Sequence, residues 1–152
     1  FFALISSKLD HHKDLDDCGS IVLIIEFASL EDIECQEYAS FALAYLASNR
    51  NYQIMLVEQG AVQPLVAMMA VDTEPKHYAG LALLKLADNF ENHLRISQEG
   101  GIQALLHLGR CRATDEDLQF KASIAVGTLA SNAINMLPRK DLHQQKQELE
   151  KI

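Results

Sequence analysis

Apolar residues at offsets 0, 3, 4, 7 and 8 mark one face of a helix. The chain writes that pattern three times: Ala39, Ala42, Leu43, Leu46, Ala47; then Ala79, Ala82, Leu83, Leu86, Ala87; then Ala122, Ala125, Val126, Leu129, Ala130. The step between copies is 40 residues and then 43. So much alanine predicts close helix approach and suits a helix interior. Each copy is followed by an asparagine, Asn49, Asn89 or Asn132, which predicts a left-handed helix end. Short apolar-periodic stretches follow, "YQIMLVEQ" and "NHLRISQE", and close on Gly60 and Gly100. Then come "AVQPLVAMMA" and "GIQALLHLGR", both helical in pattern, with "GSIVLIIEFA" in the same place one unit earlier. Polar breaks "SLED", "DTEP" and "TDED" precede the long helices. Ser29 and Thr114 each have Asp three residues on, an approximate capping box, and Pro75 falls in a first helical turn, where its missing N–H costs little.

Each unit therefore reads as a short helix, a glycine turn, a second helix, a polar turn and a long third helix. One such unit cannot cover its own apolar faces, so equal units stack. On "EQGAVQPLVAMM", "AGLALLKLADN", "QEGGIQALLHLG" and "ASIAVGTLASN" the chain resembles the armadillo repeat family. The expected fold is all-α: a right-handed solenoid of about three repeats with a partial N-terminal repeat. The repeat segment covers 1–137, with 1–9 ending a preceding repeat and units at 10–49, 50–89 and 90–133. A helical tail follows at 138–152, after Pro138. There Leu142, Leu149 and Ile152 form an a/d-like seam, suited to capping the last repeat or to weak dimerisation.

Composition narrows the partners. Thirteen basic against 21 acidic residues give a formal charge of -8, and no Lys/Arg cluster stands out, which disfavours nucleic acid. The apolar run "IVLIIEF" is too short to span a bilayer, which needs about 20 residues. Membrane association is expected only through a region outside this sequence, which begins at Phe1 and reads as a fragment. The three scattered cysteines (Cys18, Cys35, Cys111) suit a reducing compartment and read as small buried apolar groups.

The family resemblance implies that the third helices line a concave groove holding a partner peptide or helix. Positions opposite the core stripe are Glu37, Phe41, Tyr45 and Ser48; His77, Leu81, Lys85 and Asp88; and Phe120, Ile124, Thr128 and Ser131. Phe41, Leu81 and Ile124 share one equivalent place, and Phe41 with Tyr45 would form an aromatic anchor. Members that bind nuclear import signals carry a tryptophan and an asparagine one turn apart on these helices. Here Phe41, Leu81 and Ile124 stand at the first place and Tyr45, Lys85 and Thr128 at the second.

Catalytic motifs are not found: no GxSxG, P-loop, HExxH or CxxC. Cys111 lies between Arg110 and Arg112, a setting that lowers a thiol pKa but equally suits a helix end. "DHHKDLDD" offers His11 and His12 among acids, but adjacent histidines diverge on a helix and no second cluster completes a metal site. The acidic run at Glu31, Asp32, Glu34 and Glu37 reads as a solvated helix start or as a dock for a basic partner. No enzyme activity, cofactor or metal is expected. The reading is a cytoplasmic adaptor or scaffold that binds a protein partner, tethered to an organelle or the cytoskeleton in some settings. The alternatives are the non-catalytic segment of a larger enzyme such as a ubiquitin ligase, and a transport-signal receptor.

Overall fold

A computed structural model describes residues 7–71, 75–110 and 116–136. Among the described residues there is no strand, and the helices fall into three successive units. The first holds α1 (His12–Asp17), α2 (Ser20–Ala28) and α3 (Ile33–Ala47). The second holds α4 (Arg50–Glu58), α5 (Val62–Met69) and α6 (Pro75–Ala87), and the third α7 (His93–Gln98), α8 (Gly101–Arg110) and α9 (Glu116–Met136). Single 3₁₀ turns at Leu9–His11 and Phe90–Asn92 lead into α1 and α7. The proposed tail helix, the Thr114 box and Cys111 lie outside the described residues, as do residues 1–6.

The corner between first and second helix needs a left-handed backbone. It is made each time by glycine: Gly19, Gly60 and Gly100, with φ of 71°, 90° and 87°. Any other L-residue would pay about 1–2 kcal/mol there.

The helix ends differ from the expected scheme in two respects. Asp32, not Ser29, caps α3: its backbone is extended, and its Oδ1 accepts the Cys35 N–H at 2.7 Å. That hydrogen bond also holds the Asp32 carboxyl below the ordinary carboxylate range. Ser29 instead finishes α2, its hydroxyl donating to the Ile25 carbonyl. The asparagines are not left-handed terminators either. Asn49 and Asn89 are extended residues whose side chains cap the next turn, accepting from the N–H groups of Asn51 and Glu91. Asn132 lies inside α9, which runs on to Met136.

The recurring stripe is the core. Leu43, Leu46, Leu83, Leu86 and Leu129 are all at most 1% exposed, and the alanines at 39, 42, 79, 82 and 122 are buried with them. In the last unit Ala125, Val126 and Ala130 are only partly buried. Among the described helices the pairing of α3 with α6 is the most extensive, and α6 also meets α9. At Gly80 a Cβ would stand 2.6 Å from Leu108 Cδ2, so α6 and α8 approach closely because that side chain is missing. At equivalent positions the second helix of the first unit is less covered than those of the other two. Pro64 and Met68 of α5 are buried, as are Ala104 and Leu108 of α8, but their counterparts Leu23 and Phe27 on α2 are 44% and 41% exposed. The cysteines depart from expectation: Cys18 is exposed, its Sγ 2.8 Å from Ser20 Oγ, and Cys35 is only half-buried.

Buried polar side chains fix the register of the units. Gln53 Nε2 donates to the Ala47 carbonyl at 2.9 Å, and His93 Nε2 to the equivalent Ala87 carbonyl at 2.7 Å. His93 Nδ1 then accepts from Asn132 Nδ2 at 2.8 Å, and His12 Nδ1 lies 3.5 Å from Asn49 Nδ2. Asn92 Nδ2 donates to the carbonyls of Leu86 and Gln53, both at 3.0 Å, tying α4 to the turn before α7. In this scheme Gln53 alone replaces the histidine of its neighbours, and its Oε1 is buried without a donor.

Two stability changes follow. Gln53→His supplies an acceptor facing Asn89 and removes the orphaned oxygen. It is expected to raise stability by about 1 kcal/mol, or about 2–4 °C in Tm by calorimetry. Asn92→Ala removes the buried amide that joins the Gln53 and Leu86 carbonyls and is expected to cost about 1–3 kcal/mol in urea unfolding, with an unchanged m-value.

Candidate partner-binding groove

The third helices α3, α6 and α9 form a ladder, and the residues opposite the core stripe face along it. Phe41, on α3, is half-buried. Its ring lies 4.6 Å from that of Tyr45, one turn on, and 5.1 Å edge-on from Tyr78 of α6. His77 meets Tyr78 edge-on at 5.6 Å. Phe41, Tyr45, Tyr78 and His77 thus make one aromatic cluster across two units, with Tyr45 and His77 open to solvent. Paired rings at these spacings gain about 0.5–1.5 kcal/mol beyond their buried area, so the cluster is held in shape before any partner arrives.

Between α6 and α9 the ladder opens. A pocket of about 570 Å³ lies there, lined by Leu81, Leu84, Lys85 and Asp88 on one side and by Lys121, Ile124 and Thr128 on the other. Phe90, from the turn after α6, stands at its rim and is 62% exposed. Five of the expected groove residues (Leu81, Lys85, Asp88, Ile124, Thr128) therefore meet at one site. Phe41, Tyr45 and His77 meet at the other.

The expected equivalence of Phe41, Leu81 and Ile124 does not extend to exposure. Leu81 is partly buried and packs on the core, while Ile124 is 54% exposed. Phe120 is likewise 65% exposed. Ser48 and Thr128 turn their hydroxyls back to their own helix, donating to the carbonyls of Ala44 and Ile124. Ser131 and Asp88 are exposed, and Glu37 is half-buried. Sequence reading missed Tyr78, Phe90 and Lys121. Tyr78 sits next to the stripe residue Ala79, so periodicity alone gave it no face. Phe90 lies in a linking turn, where an exposed aromatic was the available signal. Lys121 pairs with Asp117 at 2.5 Å.

The charge pattern at the pocket is mixed, with Lys85 and Lys121 among its lining beside Asp88. In the acidic run Asp32 is spent on the α3 cap, and its carboxylate pushes the Cys35 thiol up, so that thiol is poorly reactive. His11 and Asp14 approach to 3.4 Å at the surface, whereas His12 is buried edge-on to Tyr52. Burial, with Asp16 and Asp17 nearby, pushes the Tyr52 hydroxyl up. Among the described residues no group of three or more His, Cys, Asp and Glu is placed to hold a metal ion. Nor is any helix among them long and apolar enough to cross a membrane.

Solved structures with this architecture are armadillo solenoids. An engineered protein is 28% identical with a TM-score of 0.73, over 86% of this chain and 54% of that one. A designed armadillo repeat protein in complex with the peptide (KR)4 is 25% identical with a TM-score of 0.72, over 84% of this chain and 54% of the other. An armadillo-repeats-only protein from Plasmodium falciparum shares the fold at 17% identity and a TM-score of 0.72, over 84% of this chain and 58% of that one. The chain thus spans a little over half the length of these three. No curated protein sequence matches it. The family model described as "SIL1/FES1/HPBP1 C-terminal domain" matches residues 11–151. That match takes in all three stacked units and the ladder they form, and the chain belongs to the SIL1/FES1/HPBP1 C-terminal domain family, with an armadillo-like helical fold.

Proposed function

We propose that this chain is the partner-recognition segment of a chaperone cofactor, gripping a nucleotide-binding chaperone along the α3–α6–α9 ladder and easing release of its nucleotide. The family stands among protein-interacting chaperone cofactors of the nucleotide-exchange type. Exchange of this kind needs no catalytic groups. A protein that binds the open form of a nucleotide pocket better than the closed form shifts the population toward release by that difference in affinity. The observation that carries the reading is the pair of sites on one ladder: an ordered aromatic cluster at Phe41, Tyr45 and Tyr78, and an apolar pocket between Leu81 and Ile124. Rigid aromatic anchors beside a pocket are what dominates binding energy in protein interfaces. A general adaptor or scaffold would use the same surface.

A receptor for basic transport signals fits less well. The ladder carries Lys85 and Thr128 where such receptors clamp peptide backbone with asparagine, and it has no tryptophan.

The test mixes the chain with a purified chaperone ATPase loaded with fluorescent ADP. The wild type is expected to bind and to accelerate release. Phe41→Ala/Tyr45→Ala should weaken binding about 30-fold, the loss expected of a hot spot of about 2 kcal/mol, with unchanged helicity by circular dichroism. Val22→Ser, on the exposed side of α2, should leave both readouts alone. Full binding by the double variant would move the site off the ladder. Binding without faster release would reduce the chain to an adaptor.

A further inference from the structure

The two junctions of the ladder are built alike but filled differently. Between the first and second units Phe41 rests edge-on against Tyr78, their ring centroids 5.1 Å apart. Leu81 stands 40 residues on from Phe41, and Lys121 stands 43 on from Tyr78. They hold the equivalent places one unit later, and both line the pocket of about 570 Å³ between α6 and α9. Two rings are thus replaced by an aliphatic side chain and a lysine stem whose ammonium pairs with Asp117. The helices part accordingly: α6 pairs far less extensively with α9 than with α3. The pocket is the space that an aromatic pair closes at the first junction.

What the lining offers suits a ring. Leu81, Leu84 and Ile124 supply apolar walls, and Ile124 is 54% exposed. Polar members of the lining are largely spent within the fold. His93 and Asn132 are hydrogen-bonded to each other, and the Thr128 hydroxyl donates to the Ile124 carbonyl. Phe90 at the rim, 62% exposed, offers a partner for a second ring. Lys85, at the place that Tyr45 holds on α3, is half-buried and makes no ion pair among the described residues. A half-buried ammonium beside apolar walls is complementary to the negative face of an aromatic ring. Asp88 in the same lining disfavours a carboxylate there. The volume falls within the range of about 300–1,000 Å³ usual for ligand pockets.

We propose that this pocket receives an aromatic side chain of the partner protein. The ring seats between Leu81 and Ile124, against the Lys85 ammonium, and completes at the second junction the aromatic contact already built into the first. This rests on the reading of the ladder as the partner-binding face, and it names the residue type that the partner presents there.

The chain has no tryptophan, so the emission of an added indole is read without background. N-acetyl-tryptophanamide is expected to bind the whole chain with a Kd of about 1 mM, its emission moving to shorter wavelength as the ring leaves water. N-acetyl-leucinamide should compete at least about tenfold more weakly. Leu81→Phe/Lys121→Tyr sets the rings of the first junction into the second. It should weaken indole binding at least about tenfold and hold Tm at or above the wild-type value. Lys85→Met keeps the stem, removes the charge and should cost about threefold in affinity; it carries the test even where the double variant fails to fold. Equal competition by N-acetyl-leucinamide, or indole binding that neither variant weakens, would overturn the proposal. The chaperone mixture separates the pocket from the ladder as a whole. There Leu81→Phe/Lys121→Tyr should weaken binding about tenfold. Undiminished chaperone binding by that variant, beside a loss in Phe41→Ala/Tyr45→Ala, would overturn the proposal and leave the ladder standing. A wild type that takes up the indole but not the chaperone would overturn the chaperone reading, while the preference for a ring would still support the pocket.

Discussion

A unit of three helices built on this pattern carries more apolar surface than it can hide by itself. The second and third helices must each be covered on two sides, and only a neighbouring unit of the same shape presents a matching surface. Alanine at the stripe positions and glycine at position 80 bring the helices close enough for that cover to exclude water. At about 1.5–3 kcal/mol for each large apolar side chain fully buried, the leucines and methionines of the stack supply the main driving force. The strength is unevenly distributed. α6 is enclosed by α3 on one side and by α8 and α9 on the other, while α2 shows Leu23 and Phe27 to solvent.

Stacking alone would leave sliding between units cheap, since alanines offer little to interlock. The buried polar groups make the register specific. Gln53 and His93 each close the last carbonyl of the preceding long helix, and Asn92 spans two units with a single amide. Displacing one unit by a residue would break several of these buried hydrogen bonds at once, at about 1–3 kcal/mol for each buried group left unpaired. The ladder on the opposite side inherits this rigidity. Phe41 can rest on Tyr78, from a different unit, because the units cannot shift.

The fold was legible because a repeated stripe reports on itself: three copies in step place the core and give the number of units. The glycine corners were legible too, since a positive φ at one fixed place restricts the residue to glycine. Helix ends were read less well. Ser29 and Asp32 both suit a cap, and what decides between them is where the chain becomes extended, which depends on how α2 docks. Asn49, Asn89 and Asn132 look alike in sequence yet do different work, because α9 continues where α3 and α6 stop. On the ladder, periodicity gave the outward face but not the neighbours. Tyr78 and Lys121 enter only when two units are set side by side, and so does the difference in cover between Leu81 and Ile124. His12 and His93 were visible as residues, but their part in the register required the partner carbonyl or amide in space.

A stack held by neighbour contacts makes a direct claim about where the molecule opens first. Native-state hydrogen exchange across the helices of the whole chain measures it. The account predicts the slowest exchange at Ala79–Leu86 in α6, intermediate protection in α3 and α9, and the fastest helical exchange in α1 and α2. Protection that is uniform along the chain, or greater in α2 than in α6, would contradict a structure stabilised unit by unit.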